Sequence, residues 1–232
     1  MTDLLFPPPA PVLLPLQDGS AFYPINRIFC VGRNYADHAK EMGAEVDREA
    51  PFYFLKCPAH VTLSGTKIPY PPVTADFHHE MEFAVAIGAP GFRVKAEDAM
   101  DLVFGYAAAL DMTRRDLQAQ AKDKRRPWDI GKDFEHGAVL GPLTRASDFG
   151  APGPQAISLL RNGSQVQSSH LSEMVWTVPE IIAHLSTLYH LVPGDIILTG
   201  TPAGVGPVDP GDTLHGEIDG LAPVDLTIGD PE

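Results

Sequence analysis

Short apolar runs separated by turn residues recur along the chain and predict a strand-rich domain. The runs lie at residues 27–31, 81–87, 104–110 and 195–199. The 21 glycines and 23 prolines divide the chain between such runs, as is typical of proteins built from short strands. Side chains alternate faces along a strand, so the run 81–87 predicts a large apolar face of Met81, Phe83, Val85 and Ile87 opposite Glu82, Ala84 and Ala86. The predicted fold class is β-rich α+β.

A few helices accompany the strands. Thr177 and Glu180 form a capping-box pattern ahead of an apolar stripe, and Pro193 with Gly194 ends the segment. A second helix is predicted from about Thr113 to the residue before Pro127, because a residue that precedes proline disfavours the helical conformation. A third, shorter helix is predicted over residues 35–42.

The first part of the chain has a different composition from the rest. Five prolines within the first 15 residues exclude a regular helix or a central strand there. We therefore predict an extended N-terminal arm over residues 1–24 and a single folded domain over residues 25–232, which is long enough to bury a sizeable core.

Charge narrows the range of partners. Against 17 basic residues stand 30 acidic ones, so the formal net charge is −13, which repels nucleic acid and anionic membranes alike. The two cysteines, Cys30 and Cys57, cannot build a disulfide framework, and the first residues lack the features of a signal peptide. We expect a cytoplasmic protein that acts on a small molecule.

Three carboxylates are candidate metal ligands. Glu80 and Glu82 project to the same side of one predicted strand, and Asp111 ends another. Three carboxylates at strand ends would provide an all-oxygen site for Mg²⁺, with Mn²⁺ or Ca²⁺ as further possibilities. Two alternatives remain open: the glutamates point to solvent from an edge strand, or Asp111 caps the helix that follows.

Two further groups are candidates for catalysis. His38 and Glu41 lie three residues apart on a predicted helix, so the carboxylate can orient an imidazole that takes a proton from water. Lys132 would stabilise negative charge if it pointed into a metal site. The alternatives are a surface helical pair and a solvated lysine, and nothing local decides between them.

Other motifs are less specific. The glycine-rich segment 198–206 lacks a phosphate-loop signature and is either a plain turn or a binding site for a ligand carboxylate through backbone N–H groups and Thr201. The basic segment 122–126 is either a solvated helix end or a contact for an acidic substrate. His78 and His79 stand beside Glu80 but outside its alternating set of side chains.

Five motifs occur in an order and spacing that resemble those of the fumarylacetoacetate hydrolase family. They are VGRNYADHAKEMG, HHEMEFAVAIG, GYAAALDMTRRDLQ, WDIGKDF and GDIILTGTPAGVGP. The resemblance runs from about residue 25 to near residue 228 and favours the short fumarylpyruvate hydrolase and acylpyruvase members. It implies a mixed β-roll with a few peripheral helices, a homodimer, and a site at one mouth of the roll.

The resemblance also assigns roles to residues. It implies Glu80, Glu82 and Asp111 as metal ligands, His38 and Glu41 as the pair that activates water, and Lys132 as a stabiliser of oxyanion charge. Substrate-binding positions implied by the same motifs are Arg33, Arg115, Gln118, Lys132, Gly200 and Thr201. Cys57 and His60 depart from the family pattern, which leaves the exact substrate open, and residues 44–51 could form a lid.

The implied reaction is the hydrolytic cleavage of a carbon–carbon bond in a β-diketo acid such as fumarylpyruvate. Pyruvate would leave as an enolate while a water activated by His38 attacks the distal carbonyl, and Arg33, Arg115, Arg125 and Arg126 are candidates for the distal carboxylate. An oxaloacetate decarboxylase or tautomerase and a 2-hydroxy-dienoate isomerase would use the same metal site. A non-catalytic binding module is a further alternative, and a broken ligand set would be its mark.

Overall fold

Strands make up most of the secondary structure in the computed structural model, which describes residues 4–41 and 48–231, without the side chains of residues 39 and 40. The strands are β1 (Leu13–Pro15), β2 (Phe22–Pro24), β3 (Arg27–Gly32), β4 (Phe52–Lys56), β5 (Val61–Leu63), β6 (Thr66–Tyr70), β7 (Phe77–His79), β8 (Met81–Ile87), β9 (Val103–Asp111), β10 (Thr113–Arg114), β11 (Ala138–Leu140), β12 (Thr144–Arg145), β13 (Ala156–Arg161), β14 (Ser164–His170), β15 (Asp195–Leu198), β16 (Gly206–Pro207), β17 (Thr213–Ile218) and β18 (Val224–Pro231). The α-helices are α1 (Ala36–Glu41), α2 (Arg115–Asp123), α3 (Asp129–Lys132), α4 (Ala146–Phe149) and α5 (Val178–Leu188). Short 3-10 helices occupy Pro58–His60, Ala96–Leu102 and Leu171–Glu173.

The largest sheet is mixed and carries the four predicted strands. Its order is β4-β3-β15-β8-β9-β11-β5, and β12 pairs with β9 at the side. β15 runs parallel to β3, whereas β8 is antiparallel to both of its neighbours, β15 and β9. Among the described residues there are three smaller sheets, with orders β14-β13-β17-β18-β6, β10-β7-β16 and β1-β2. The β-rich α+β class predicted from the sequence is therefore confirmed.

The alternation along β8 places two different surfaces on the two sides of the large sheet. Met81, Phe83, Val85 and Ile87 all lie in the main apolar core, where they pack with residues of the five-stranded sheet such as Leu159 and Leu226. Ala84 and Ala86 belong to a second core on the opposite side, which also contains Leu14 and Cys30. The predicted separation of large and small side chains is thus observed, and Glu82 lies on the small-residue side.

The N-terminal arm is not uniformly extended. Residues 6–11 carry no regular secondary structure and are exposed, as expected of a proline-rich segment. Strands β1 and β2 pair antiparallel as a hairpin, and Leu14, Leu16 and Tyr23 are buried in the second core. The hairpin forms because every second residue near these prolines is apolar and buried, and an edge strand tolerates proline. The number of prolines hid this alternation in the sequence. The division at residue 24 stays a prediction.

The helices follow the predictions except at their ends. Around α5, Thr177 and Glu180 form the expected capping box. The second helix begins at Arg115 and not at Thr113, because Thr113 pairs with His78 as part of β10. No helix in the described part of the chain is long and apolar enough to cross a membrane.

Close backbone contact between β9 and β12 requires a glycine at position 105. A Cβ atom on Gly105 would lie 2.2 Å from the carbonyl oxygen of Thr144, so one of the two strands would have to move. We predict that Gly105→Ala lowers the free energy of unfolding by about 1–3 kcal/mol, measured by chemical denaturation. Gly153→Ala is the matched control, since the nearest atom there is 4.0 Å away. Equal stability of the two variants would contradict the proposed crowding.

Candidate active site and metal centre

Three carboxylates converge where β8 begins and β9 ends. Glu82 lies opposite Ala109 across the two strands, and the backbone N–H of Asp111 donates to the carbonyl oxygen of Glu80 at 2.9 Å. Alternation then directs Glu80, Glu82 and Asp111 to one side of the sheet. The antiparallel pairing of β8 with β9 therefore brings together residues that lie about 30 positions apart in the sequence.

The three side chains have the donor set of a site for a hard divalent cation. Their exposed fractions are 5% for Glu80, 2% for Glu82 and 0% for Asp111, and one oxygen from each lies within 4.8 Å of the others. Asp111 Oδ1 receives no properly directed hydrogen bond from the described residues. Buried carboxylate oxygens in this arrangement suit Mg²⁺, Mn²⁺ or Ca²⁺, so the residues fit the predicted metal. The alternative of solvent-facing glutamates is wrong because both are buried, and that of a helix-capping Asp111 is wrong because no side chain caps α2.

Three cations face the three carboxylates. Lys132 Nζ lies 2.8 Å from Glu80 Oε2 and 2.7 Å from Asp111 Oδ2, and it also donates to Thr113. Arg115 pairs with the other oxygen of Glu80. Lys56 Nζ lies 2.8 Å from Asp111 Oδ1. Unpaired buried charges are strongly destabilising, so this compensation is what allows three carboxylates in the interior.

The two glutamates respond differently to this environment. Burial alone would raise the pKa of Glu80, but the charges of Lys132 and Arg115 outweigh burial and hold the pKa well below its usual value. Burial raises the pKa of Glu82 well above its usual value, and the charges of Asp111 and Glu80 raise it further. Because a metal ligand must be deprotonated, a cation at the triad would displace a proton from Glu82.

His38 and Glu41 lie beside this cluster on α1. His38 Nδ1 is 3.3 Å from Glu41 Oε2, and the backbone N–H of Gly204 donates to both oxygens of Glu41 at 3.2 Å. Burial lowers the pKa of His38 below 6.5, although the charges of Glu80 and Glu41 oppose the shift. A neutral imidazole whose Nδ1 is engaged by Glu41 has Nε2 available to accept a proton.

The predicted substrate-binding residues lie around one small cavity of about 30 Å³. Arg33, Arg115, Gln118, Lys132 and Thr201 line this cavity together with His38 and the three carboxylates. Gly200 reaches the site through its backbone N–H, which donates to Glu82 Oε2 at 2.7 Å. The cavity has room for an ion and a water or two, so a substrate must occupy space toward the open side.

Several site residues were not predicted from the sequence. Phe52 and Phe54 line the cavity and Lys56 is buried beneath it, which matches the alternation of β4 and could have been inferred from the run FYFLK. Trp128 also lines the cavity. Gln167 is buried and donates to Thr201 Oγ1 at 2.8 Å, a contact between distant segments that no local pattern indicates.

Other candidates lie outside the cavity. Arg125 and Arg126 are exposed and do not line it, so their suggested role at the distal carboxylate is not supported. His78 pairs with Asp76 at 2.7 Å, and His79 Nδ1 lies 3.2 Å from Gln167 Oε1. Burial lowers the pKa of His79 to about 4, so it is neutral, and neither histidine joins the carboxylate cluster.

Cys57 and His60, the two departures from the family pattern, both contact Asp133, the residue after Lys132. Asp133 Oδ1 accepts from the backbone N–H of Cys57 at 2.8 Å and lies 2.6 Å from His60 Nδ1. Neither residue lines the cavity. Residues 44–47 of the suggested lid, which spans residues 44–51, lie outside the described part of the chain.

Comparison with known proteins gives the family. Residues 27–228 match the family model described as fumarylacetoacetate (FAA) hydrolase C-terminal. The chain belongs to the fumarylacetoacetate hydrolase family. The resemblance inferred from the five motifs is thereby confirmed.

Relatives within the fumarylacetoacetate hydrolase family differ in the activity that their names state. A fumarylpyruvate hydrolase from Ralstonia sp is 51% identical over 193 residues, which cover 82% of this chain and all of that protein. The mitochondrial oxaloacetate tautomerase of Homo sapiens is 40% identical over 205 residues, covering 88% of this chain and 92% of that protein.

A solved structure extends the likeness to the fold. The fumarylpyruvate hydrolase of Pseudomonas aeruginosa, in complex with Mn²⁺ and pyruvate, is 43% identical and superposes with a TM-score of 0.95. The match covers 98% of this chain and 100% of that one. The mixed β-roll expected from the family resemblance is confirmed.

Lys56 is the most deeply placed of the compensating cations. Its Nζ donates to the carbonyl oxygens of Met112 at 3.1 Å and Gly137 at 2.8 Å, and to that of Lys132, besides its contact with Asp111. We predict that Lys56→Met lowers the free energy of unfolding by about 3–5 kcal/mol, because a buried carboxylate and three carbonyls lose their partner.

Chemical denaturation of the full chain measures this effect. The exposed Lys67 supplies the control, since Lys67→Met removes the same charge from the surface. A stability of Lys56→Met equal to that of the control would show that Asp111 does not depend on the lysine.

Proposed function

We propose that this protein is a metal-dependent hydrolase that cleaves a carbon–carbon bond of a β-diketo acid, with fumarylpyruvate as the first candidate substrate. The observation that carries this proposal is the position of His38, paired with Glu41, on the wall of a cavity floored by three carboxylates. Support also comes from the Ralstonia and Pseudomonas fumarylpyruvate hydrolases, which match nearly the whole domain. The products would be fumarate and pyruvate.

His38 is the proposed general base. With Nδ1 directed at Glu41, Nε2 takes a proton from a water molecule, which then attacks the carbonyl distal to the 2-oxo acid group. Glu41 keeps the imidazole oriented and stabilises the imidazolium that forms. The backbone N–H of Gly204 holds Glu41 in place by hydrogen bonding to its carboxylate. The lowered pKa of His38 keeps the base neutral at pH 7.

Developing negative charge requires stabilisation at the other side of the bond. A divalent cation held by Glu80, Glu82 and Asp111 would supply a Lewis acid for the electron pair released on cleavage. Lys132 contacts two of these carboxylates and is placed to share the oxyanion charge, and Lys132 stays protonated because the charges of Asp111 and Glu80 outweigh the effect of burial on its pKa.

The remaining wall residues would bind the acid end of the substrate. Arg115 and Gln118 lie one helical turn apart, and Arg115 Nη1 donates to Gln118 Oε1 at 2.6 Å, so the two side chains form one donor surface. Thr201 Oγ1 accepts from Gln167, which leaves the hydroxyl hydrogen of Thr201 for a ligand oxygen. Arg33 and the backbone of Gly200 complete the proposed set.

Oxaloacetate decarboxylation or tautomerisation is the second candidate function. The human oxaloacetate tautomerase is 40% identical, and such reactions need the same metal site without an attacking water. A 2-hydroxy-dienoate isomerase would likewise use the triad. A non-catalytic binding module is disfavoured because the ligand set is intact and the His38–Glu41 pair is formed.

Four broader properties belong to the same proposal. We infer Mg²⁺ as the physiological ion, a cytoplasmic location and a role in the breakdown of aromatic acids. We also infer a homodimer, for which the strongly exposed apolar side chains of Leu5 and Phe6 provide contact surface. Sedimentation velocity on the full chain tests the dimer, and a monomer at micromolar concentration would contradict it.

A substrate screen separates the two candidate functions. The full chain with Mg²⁺, with and without chelator, is assayed spectrophotometrically on fumarylpyruvate, other acylpyruvates and oxaloacetate. For His38→Ala we expect cleavage to fall about 100- to 10,000-fold, because a general base is lost, whereas oxaloacetate decarboxylation changes less than about tenfold. His170→Ala is the control, since His170 and Glu173 form a similar exposed i, i+3 pair. Equal losses of both activities would contradict the water-activating role.

Glu82 provides the sharpest test of the metal assignment. We predict that Glu82→Gln lowers turnover by at least about 100-fold, because the Lewis acid loses a charged ligand. Titration calorimetry should show Mn²⁺ and Mg²⁺ binding weakened more than about tenfold, while circular dichroism stays unchanged. Glu97→Gln, on the exposed surface, is the control. Full turnover in Glu82→Gln would rule out the proposed triad.

A further inference from the structure

Four side chains form a continuous rim on the open side of the cavity. Arg33 lies over the ring of Phe52, 5.7 Å from its centroid, and Phe52 meets Trp128 edge to face at 5.5 Å. Lys122 Nζ lies 4.8 Å from the centroid of the Trp128 ring. All four line the cavity. Two cations therefore flank an aromatic wall just beyond the metal centre.

Lys122 belongs to the inward stripe of α2. Arg115, Gln118 and Lys122 are spaced three and four residues apart, so they share one helix face, and all three line the cavity. Arg115 is engaged with Glu80 at one end of this stripe. Lys122 lies two turns further along, about 10 Å away along the helix axis, toward the open side.

The rim cations differ from the cations at the metal centre in their partners. Among residues 4–41 and 48–231, no carboxylate lies within ion-pair distance of Lys122 or Arg33, whereas Lys56, Arg115 and Lys132 all have one. Arg33 has a φ of 57°, in the left-handed region that a non-glycine residue rarely adopts. Such a conformation persists only where surrounding contacts hold it, and it is frequent at ligand sites.

We propose that Lys122, with Arg33 on the opposite side of the aromatic wall, binds the distal carboxylate of a dicarboxylic 2-oxo acid whose other end lies at the metal centre. This inference rests on the proposed function and specifies its substrate class. In fumarylpyruvate, five chain carbons separate the two carboxyl groups, which suits a site with one anion-binding end at Arg115 and another two helical turns away. The planar unsaturated segment would then lie against Phe52 and Trp128.

The electrostatics of the rim agree with this assignment. Burial, together with the charges of Arg115 and Arg33, lowers the pKa of Lys122 to about 8. A carboxylate placed between Lys122 and Arg33 would relieve that repulsion, so the rim is better satisfied with an anion bound. Arg125 and Arg126, exposed at the end of the same segment, offer no such enclosure.

The experiment compares two ligands that differ only at the distal end. Dissociation constants of 2-oxoheptanedioate and 2-oxoheptanoate are measured by titration calorimetry on the full chain with Mn²⁺. We expect the wild type to prefer the dicarboxylate by about 10- to 100-fold, as for a charge-assisted contact, and Lys122→Gln to bind both ligands about equally. Lys122→Arg should retain most of the preference. Lys124→Gln, which removes an exposed charge nearby, should keep all of it.

The affinity for the monocarboxylate serves as the internal test of folding. It should be the same in wild type, Lys122→Gln and Lys124→Gln. A preference for the dicarboxylate that survives in Lys122→Gln, or that is missing in the wild type, overturns the inference. In kinetics, Lys122→Gln should raise KM for fumarylpyruvate and leave acetylpyruvate unaffected.

The two proposals can fail separately. If no β-diketo acid is cleaved by the wild type, the proposed function is wrong, yet the ligand preference still reports on Lys122. If cleavage occurs but the preference does not depend on Lys122, the proposed function stands and the rim assignment is wrong.

Discussion

The structure depends on positive charges that compensate three carboxylates buried where β8 begins and β9 ends. Two unit charges about 4 Å apart repel by about 4 kcal/mol at an effective dielectric near 20, and this cluster contains three. Lys56, Lys132 and Arg115 supply the opposite charge, each in direct contact with Glu80 or Asp111. Glu82 has no cation in contact among the described residues and receives a hydrogen bond from Gly200 instead. Glu82 is therefore the carboxylate that gains most from a metal ion.

Close packing and tight turns of the backbone position the groups that contact the three carboxylates. A Cβ on Gly131 would lie 2.8 Å from the backbone nitrogen of Gln118, so a glycine there lets α3 pack against α2 and brings Lys132 to the triad. Gly200 has a φ of 96°, which turns its N–H toward Glu82 after β15 ends. Lys56 then connects β4 to the end of α3 at Lys132 and to Gly137 through contacts with their carbonyl oxygens. The compensating charges are thus held by rigid elements.

The cavity is electrostatically asymmetric. On its floor, cations contact Glu80 and Asp111, whereas among the described residues the rim cations Arg33 and Lys122 have only aromatic partners. A dication on the floor would make the whole site positive, which suits an anionic oxo acid. In the proposed function, chemistry and substrate selection would be separated in space, with reaction groups near Glu80 and selection at the rim.

The sequence by itself determined the class of fold, the faces of β8, the cap of α5, the triad Glu80, Glu82 and Asp111, and the pairing of His38 with Glu41. The fold class, the faces of β8 and the cap of α5 follow from periods of two or of three to four residues, because local geometry places such neighbours regardless of the rest of the chain. The grouping of Glu80, Glu82 and Asp111 and the pairing of His38 with Glu41 were expected from the five ordered motifs and their family resemblance, since spacing alone left alternatives open. Only the tertiary structure decided which cations compensate the triad, that Leu14 anchors a hairpin in a second core, that Gln167 supports Thr201, and that Lys122 rather than Arg125 or Arg126 faces the cavity. Those contacts join segments far apart in the chain, and long-range packing and charge compensation leave no periodic trace in a single sequence.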